Sequence, residues 1–359
     1  MKRVKLIASY LPQFHPIPEN DKWHGKGFTE WFNVGKAKPL FKGHDQPRIP
    51  TDLGYYDLRI DDIRKQQAEL AFNYGISGFS YWHYWFGNGK QLLEKPLELM
   101  LASKLPNFPF CLAWANETWQ GIDHGVKSRI LIRQEYPGLD DYKNHFYKML
   151  IAFRDERYMK YGNKLIFMIY KPFDIPNFKD FKNLWNKLAL ENNLPEFLFI
   201  AQINDSNDYD KAITNGYDMV NIVRIRDIER IKHGSLYSKI RWRIGLSRIY
   251  SYKEAIKCLF GKEEKNIDVA PTIVPNWDHS PRSGKNALIY HNSSPDLFEN
   301  HINDIFKIVK SKDLDEQLVF IKSWNEWGEG NYLEPDLKHG KKYLEVLKKS
   351  INKFKFITT

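Results

Sequence analysis

With 359 residues, 42% of them hydrophobic and 15% aromatic, the chain can bury a large core and lies outside the compositions of disordered or low-complexity proteins. Two cysteines, Cys111 and Cys258, supply neither a disulfide framework nor a cysteine-rich zinc site and are consistent with a reducing compartment. The formal net charge of +10 is concentrated: residues 223–262 hold 11 Lys or Arg against 3 acids, while no zinc-finger or RNA-recognition signature accompanies them, so nucleic acid is not an expected partner.

In chain order, the basic start Met1-Lys2-Arg3 leads into an apolar run that Ser9, Tyr10 and Pro12 interrupt, shorter than a secretory signal requires. No stretch approaches the roughly 18 apolar residues of a membrane span, and a cytoplasmic protein is expected. A first strand is predicted over 4–10. A helix over about 60–74 follows, with Ile63, Gln67, Leu70, Ala71 and Tyr74 on one side and Gly75 ending it. Then come a strand at 78–82, a helix at 92–103, a strand at 110–114 and a helix at 140–153. Further strands are predicted at 165–170, 197–202, 219–225, 269–274 and 318–322, with helices near 178–191 and 296–310. Eight strands alternating with helices predict an α/β fold, a (β/α)8 TIM-type barrel with elaborated loops at its C-terminal face. One domain over 1–359 is expected, with a basic insertion around 223–262 and a last helix near 340–354 closing the outer ring.

In such a barrel the reacting groups stand where strands end. The segment Trp324-Asn325-Glu326-Trp327-Gly328-Glu329-Gly330 follows the last predicted strand and places two carboxylates three residues apart. Glycosidic-bond chemistry needs such a pair, one to exchange a proton at the bridging oxygen and one to act at the anomeric carbon. On a helical turn an i, i+3 pair lies roughly 5 to 6 Å apart at Cβ, which suits a retaining mechanism. A solvated pair capping a helix is the plain alternative, but the flanking tryptophans are costly to expose. Glu326 and Glu329 are therefore the candidate catalytic pair, and Trp324 is a candidate sugar platform.

The other strand ends are rich in aromatic and polar residues. Tyr10 and His15 follow the first, Trp82 and His83 the second, Trp114, Asn116, Glu117 and Trp119 the third, and Trp277, Asp278 and Arg282 the seventh. Asn116 and Glu117 are read as hydroxyl binders, with a structural ion pair the alternative for Glu117. His15 or His83 could bond a sugar hydroxyl or simply be satisfied in the structure. Glu30 and Trp31 lie in a long connection expected to fold over the barrel mouth, where packing that loop down is the competing role. No metal-ligand spacing such as H-E-x-x-H occurs, so neither metal nor cofactor is expected. The absence of G-x-x-x-x-G-K-[ST], G-x-G-x-x-G and G-x-S-x-G motifs removes kinase, dinucleotide dehydrogenase and serine hydrolase readings. Within the basic segment, residues 239–249 alternate basic and apolar side chains, as a membrane-surface helix or a phosphate-contacting cover does. A solvated insertion explains the same pattern.

The ordered set Tyr10-Leu11-Pro12-Gln13-Phe14-His15, Gly27-Phe28-Thr29-Glu30-Trp31, Trp114-Ala115-Asn116-Glu117, Trp277-Asp278-His279-Ser280-Pro281-Arg282 and Trp324 to Asp336 resembles the WbsX-type proteins, relatives of glycoside hydrolase family 99. Those proteins are associated with O-antigen and other surface polysaccharides and are often labelled glycosyltransferases. The resemblance implies a (β/α) barrel and a substrate-assisted retaining mechanism. In it Glu326 would act as base toward the sugar 2-hydroxyl, and Glu329 as acid and base at the leaving oxygen. It also matches Asn325, and the early tyrosine Tyr10, to site positions. Gly328 stands where family 99 enzymes carry a histidine, so mannoside specificity does not carry over. The expected activity is retaining chemistry on glycosidic bonds of an O-antigen-like polysaccharide or its precursor. The expected partner is an oligosaccharide or lipid-linked glycan, with peripheral contact at the inner membrane surface through 223–262. The alternatives are a glycosyltransferase of lipopolysaccharide biosynthesis, for which Asp205-Ser206-Asn207-Asp208 is a poor metal motif, and a non-catalytic glycan-binding barrel.

Overall fold

A computed structural model describes residues 2–121, 130–232, 240, 243–244 and 246–358. Nine parallel strands form the central sheet: β1 Arg3–Tyr10, β2 Gly78–Trp85, β3 Phe110–Trp114, β4 Lys164–Ile169, β5 Phe197–Ile203, β6 Met219–Ile222, β7 Val269–Ala270, β8 Thr272–Ile273 and β9 Glu316–Ile321. From β1 to β6 each strand pairs with the next in chain order, and β1 also pairs with β9. Their near-continuous apolar runs are buried on both faces, as strands covered by helices outside and by one another inside must be.

The predicted seventh strand is broken at Pro271, which cannot donate to a ladder. Its first half, β7, pairs with β6, and its second half, β8, pairs with β9. The barrel is thereby nearly closed. Two side chains bridge the break: Asn221 Nδ2 donates to the Ala270 carbonyl and to Thr272 Oγ1, both at 2.9 Å, and Thr272 Oγ1 donates to the Ile222 carbonyl at 2.9 Å.

Helices cover the outside. Helix Pro295–Ser311 is capped by Ser294 Oγ, which accepts from Leu297 N at 3.3 Å, and buries Phe298, Ile302, Ile305, Phe306 and Val309. The last helix, Lys342–Phe354, buries Leu344, Leu347 and Ile351 beside it. Both present apolar positions at helical spacing, the pattern a barrel-facing stripe requires. The basic segment is anchored at its start: buried Arg224 pairs with Asp227, Glu263 and Glu264 at 3.0, 2.6 and 2.7 Å. Its strand Arg248–Ser251 pairs in parallel with Leu288–His291. The alternating run 239–249 lies partly outside the described residues. Among the described residues no helix is long and apolar enough to cross a membrane.

Candidate active site

Immediately after β9 the chain turns on Ser323, whose Oγ accepts from the amides of Asn325 and Glu326 at 3.1 and 2.9 Å. Asn325–Glu326 then pairs antiparallel with Asn331–Tyr332, closing a tight hairpin. Residues Trp327–Glu329 form one 3₁₀ turn in its tip, and Gly330 follows at φ 57°. This geometry, tighter than the α-turn expected from the sequence, sends the Glu326 and Glu329 side chains into one cavity.

Arg282 faces both carboxylates and a third. Its Nη2 lies 2.5 Å from Glu326 Oε1, its Nη1 2.9 Å from Glu329 Oε1, and its Nε donates to Glu30 Oε1 at 2.8 Å. One cation cannot balance three buried carboxylates. Burial pushes Glu326 up to about 7, with Arg282 opposing the shift and the Glu329 charge adding to it. Burial also acts on Glu329, but the His279 hydrogen bond and Arg282 outweigh it and hold the carboxyl down at about 2. The pair is thus split into a group that keeps its proton and a group that does not, which acid–base chemistry requires. The direction is the reverse of the roles that the family resemblance implies.

The glycines of the hairpin are there for space. A Cβ on Gly328 would stand 1.8 Å from Glu30 Oε1, and one on Gly330 would stand 2.8 Å from Asp278 Cβ and 2.9 Å from Arg48 Nη1. Glu30 therefore occupies the volume that a histidine at 328 would need. Beneath the turn, buried Glu334 accepts from Trp327 Nε1 at 2.6 Å, Tyr56 OH at 2.8 Å and Gln67 Nε2 at 2.6 Å. Burial raises its carboxyl to about 7 despite these donors.

The cavity has a volume of about 960 Å³ and opens among the C-terminal ends of the strands. Of the residues singled out from the sequence, Trp82, Glu117, Trp119, Trp277, Arg282, Glu326 and Glu329 line it. Tyr10, His15, Glu30, Trp31, Trp114, Asn116, Asp278, Trp324 and Asn325 do not, and each has a position in the surrounding framework. Tyr10 OH donates to Gln67 Oε1 at 2.7 Å, and His15 Nδ1 lies 3.0 Å from the Pro12 carbonyl. Trp31 and Trp114 donate their indole N–H groups to the carbonyls of Tyr56 and Trp85. Asn116 Nδ2 donates to the Lys171 carbonyl at 2.9 Å and its Oδ1 accepts from Lys171 N at 2.8 Å, aligning the ends of β3 and β4. Asp278 accepts from His44 and Gln46, both at 2.8 Å. Asn325 accepts from Leu11 N at 2.8 Å and donates to Leu11 O at 3.0 Å. Trp324 and Trp327, flanking the acids, are fully buried, so the platform expected beside the pair lies in the core. Aromatic walls are instead supplied by Trp82, Tyr84, Trp119, Tyr170 and Trp277.

Lining residues absent from the sequence-based set include Gln13, Tyr170, Lys171, Gln202, Arg226, His279 and Lys322. His279 belongs to the same motif as Arg282, and its Nε2 lies 3.5 Å from Glu329 Oε1. Tyr170, Lys171 and Lys322 directly follow β4 and β9, a positional signal available from strand prediction alone. Glu117 meets Lys171 at 3.0 Å, so this carboxylate both lines the cavity and forms an ion pair. Among the described residues no group of three or more His, Cys, Asp or Glu side chains is placed to hold a metal ion.

Comparison with known proteins agrees with this architecture. Among solved structures, the GH99 endo-alpha-mannosidase from Bacteroides thetaiotaomicron superposes with a TM-score of 0.59 at 14% identity, covering 98% of this chain and 97% of that one. A glycoside hydrolase-like protein superposes with a TM-score of 0.53 at 15% identity, covering 89% and 98%. At such identities the likeness is one of fold. Two curated relatives from strains of Xanthomonas campestris pv. campestris, both described as uncharacterized protein WxcX, are each 32% identical over 364 residues, 99% of this chain and 50% of theirs. The chain spans about half the length of these curated relatives. A sequence model described as Glycosyltransferase WbsX matches residues 6–347, and with that span covered the chain belongs to the WbsX family.

Proposed function

We propose that the chain is a carbohydrate-active enzyme that breaks or transfers glycosidic bonds of a surface polysaccharide, or of its lipid-linked precursor, with retention of configuration. The observation that carries this reading is the pair Glu326 and Glu329, turned into one aromatic-walled cavity and sharing Arg282. In the substrate-assisted course, one carboxylate takes the proton of a sugar 2-hydroxyl whose oxygen attacks C1. The other gives its proton to the departing glycosidic oxygen. Water or an acceptor hydroxyl then attacks C1 and opens the three-membered ring, giving its proton to the group that had acted as acid, while the group that had acted as base returns its proton to O2. Two inversions at C1 give retention.

The chemistry needs one proton on the pair, and the electrostatics favour one, on Glu326. For Glu329 to serve as the acid, that proton must pass to it as the 2-hydroxyl approaches Glu326. Purified Glu326→Gln and Glu329→Gln proteins decide the matter. Both should fold and lose turnover of the natural glycan, and the variant lacking the acid should still turn over an aryl glycoside whose leaving group needs no proton. Recovery in Glu329→Gln assigns the acid to Glu329; recovery in Glu326→Gln assigns it to Glu326. Full activity in both variants would remove the carboxylate mechanism.

The family's description favours a second reading, transfer from a nucleotide sugar. Calorimetric titration with nucleotide sugars separates the two, since saturable binding supports transfer and its absence supports hydrolysis. In either case the basic segment, with exposed Ile240, Ile244 and Leu246, suits peripheral contact with an anionic membrane surface.

A further inference from the structure

Most of the cationic groups lining the cavity pair with acids, and one more, Lys322, is held by an aromatic ring and the field of the carboxylate pair. Lys171 pairs with Glu117 at 3.0 Å, Arg248 with Glu229 at 3.2 Å, and Arg230 with Asp227 at 3.1 Å and Asp205 at 3.2 Å. Arg282 serves Glu30, Glu326 and Glu329. Lys322 lies over the Trp82 ring at 5.7 Å and acts electrostatically on both Glu326 and Glu329. Arg226 is left over: among the described residues its guanidinium has no ion-pair or hydrogen-bond partner, although it lines the cavity beside Arg230 and Arg248. A second observation points to the same place. Gln202, next to last in the adjoining strand β5, is 97% buried as a residue yet lines the cavity, and its amide has no hydrogen-bond partner among the described residues.

We propose that Arg226 and Gln202 form a subsite for an anionic group, a carboxylate or a phosphate, carried by the glycan that this cavity accepts. Arg226 alone of the three neighbouring guanidiniums lacks an acid, and its charge acts against that of Arg248 until an anion arrives; a guanidinium and an amide lining one cavity offer the donor set that oxyanions take. The subsite lies at the β5 and β6 ends. The carboxylate pair follows β9, separated from β6 in the sheet only by the split strand β7 and β8. A bound glycan would thus run across the mouth, with its charged group on one side and the reacting bond on the other.

This inference rests on the cavity being a glycan site, and it is tested by binding rather than turnover. The wild-type chain and Arg226→Gln are titrated calorimetrically at low ionic strength with inorganic pyrophosphate, with trigalacturonate and with the neutral trisaccharide obtained by reducing its carboxyls. Arg226 is exposed and unpaired, so the variant should fold normally. At least one anion should saturate the wild type and bind about fivefold or more weakly to the variant, an effect that shrinks with added salt, while the neutral sugar is indifferent to the change. Dependence confined to pyrophosphate identifies phosphate as the charged group, and dependence confined to trigalacturonate identifies carboxylate. Equal anion affinities in the two proteins, or no saturation by either anion, would overturn the subsite. That failure would leave the Glu326 and Glu329 tests standing. Arg226-dependent anion binding alongside fully active Glu326→Gln and Glu329→Gln would instead sink only the catalytic reading.

Discussion

At Arg282 a single guanidinium fork meets three carboxylates in three directions. A lysine keeps the charge but not the fork, so Arg282→Lys is expected to retain at most one of the three contacts and to lose most turnover. Arg282→Met leaves the carboxylates buried without the guanidinium they share and should lower unfolding free energy by about 3 to 5 kcal/mol in urea titrations; a smaller loss for Met than for Lys would contradict this account. Gly328 is tied to the same cluster through Glu30. Gly328→Ala overpacks the site and should cost about 1 to 3 kcal/mol. In the Glu30→Ala background the same change should cost at least 1 kcal/mol less, because the atom it strikes is gone; additive costs would show that something other than Glu30 keeps position 328 small. The sequence made Glu326, Glu329 and Arg282 readable, since acids and a cation stand in compact motifs at strand ends. Glu30 was placed in the right loop but not beside the acids, because its contact with Arg282 spans 252 positions and no local pattern records it. Trp324, beside the acids, was read as a sugar platform because an indole suits a core and a sugar equally, and only burial distinguishes the two.

The elements themselves were largely legible. Strands such as Phe110–Trp114 and helices such as Phe178–Glu191 coincide with the predicted segments because apolar runs of strand length and stripes of helical spacing are local signals. Two features were not local. Residues 269–274 were read as one strand, yet Pro271 within them is the point where pairing changes partner, which depends on β6 and β9 together. Asn325 was matched to a site position through the family resemblance, and in the structure its amide clips the exit of β9 to the exit of β1 by two hydrogen bonds to Leu11. Asn325→Ala would leave a buried amide and carbonyl unsatisfied, and about 2 to 4 kcal/mol of stability should go with them. Asn325→Asp keeps the acceptor but turns a carboxylate toward the Leu11 carbonyl, so it should rescue little. If the alanine variant is as stable as the wild type and only its glycan affinity falls, Asn325 is a ligand and not a clip.

Over the whole molecule, buried ionisable groups pull the pH dependence of stability in opposite directions. His15, His83 and His301 are held neutral by burial, at about 4, about 3 and about 4. Their folded values lie below the unfolded one, so the stability they contribute is complete above about pH 6.5 and is lost as pH falls toward 4. Glu329, held at about 2, behaves likewise at lower pH, its contribution being lost below the unfolded value of about 4.3. Glu326 and Glu334, each raised to about 7, act the other way. Between about pH 4.3 and 7 the folded chain keeps protons that the unfolded chain has released, so stability falls through that window, by roughly 3 kcal/mol for each group. The histidines outnumber the raised glutamates, and the wild-type chain should therefore gain stability from pH 4.5 to 6.5 and flatten or decline from 6.5 to 7.5. Glu326→Gln removes one of the opposing groups. Measured by urea unfolding at several pH values, the stability of Glu326→Gln relative to wild type should rise steadily from pH 4.5 to 7.5, by roughly 3 kcal/mol in all, and level off above that. Parallel profiles would mean that Glu326 titrates in the folded chain as it does in water, and the acid–base split on which the proposed chemistry depends would not exist.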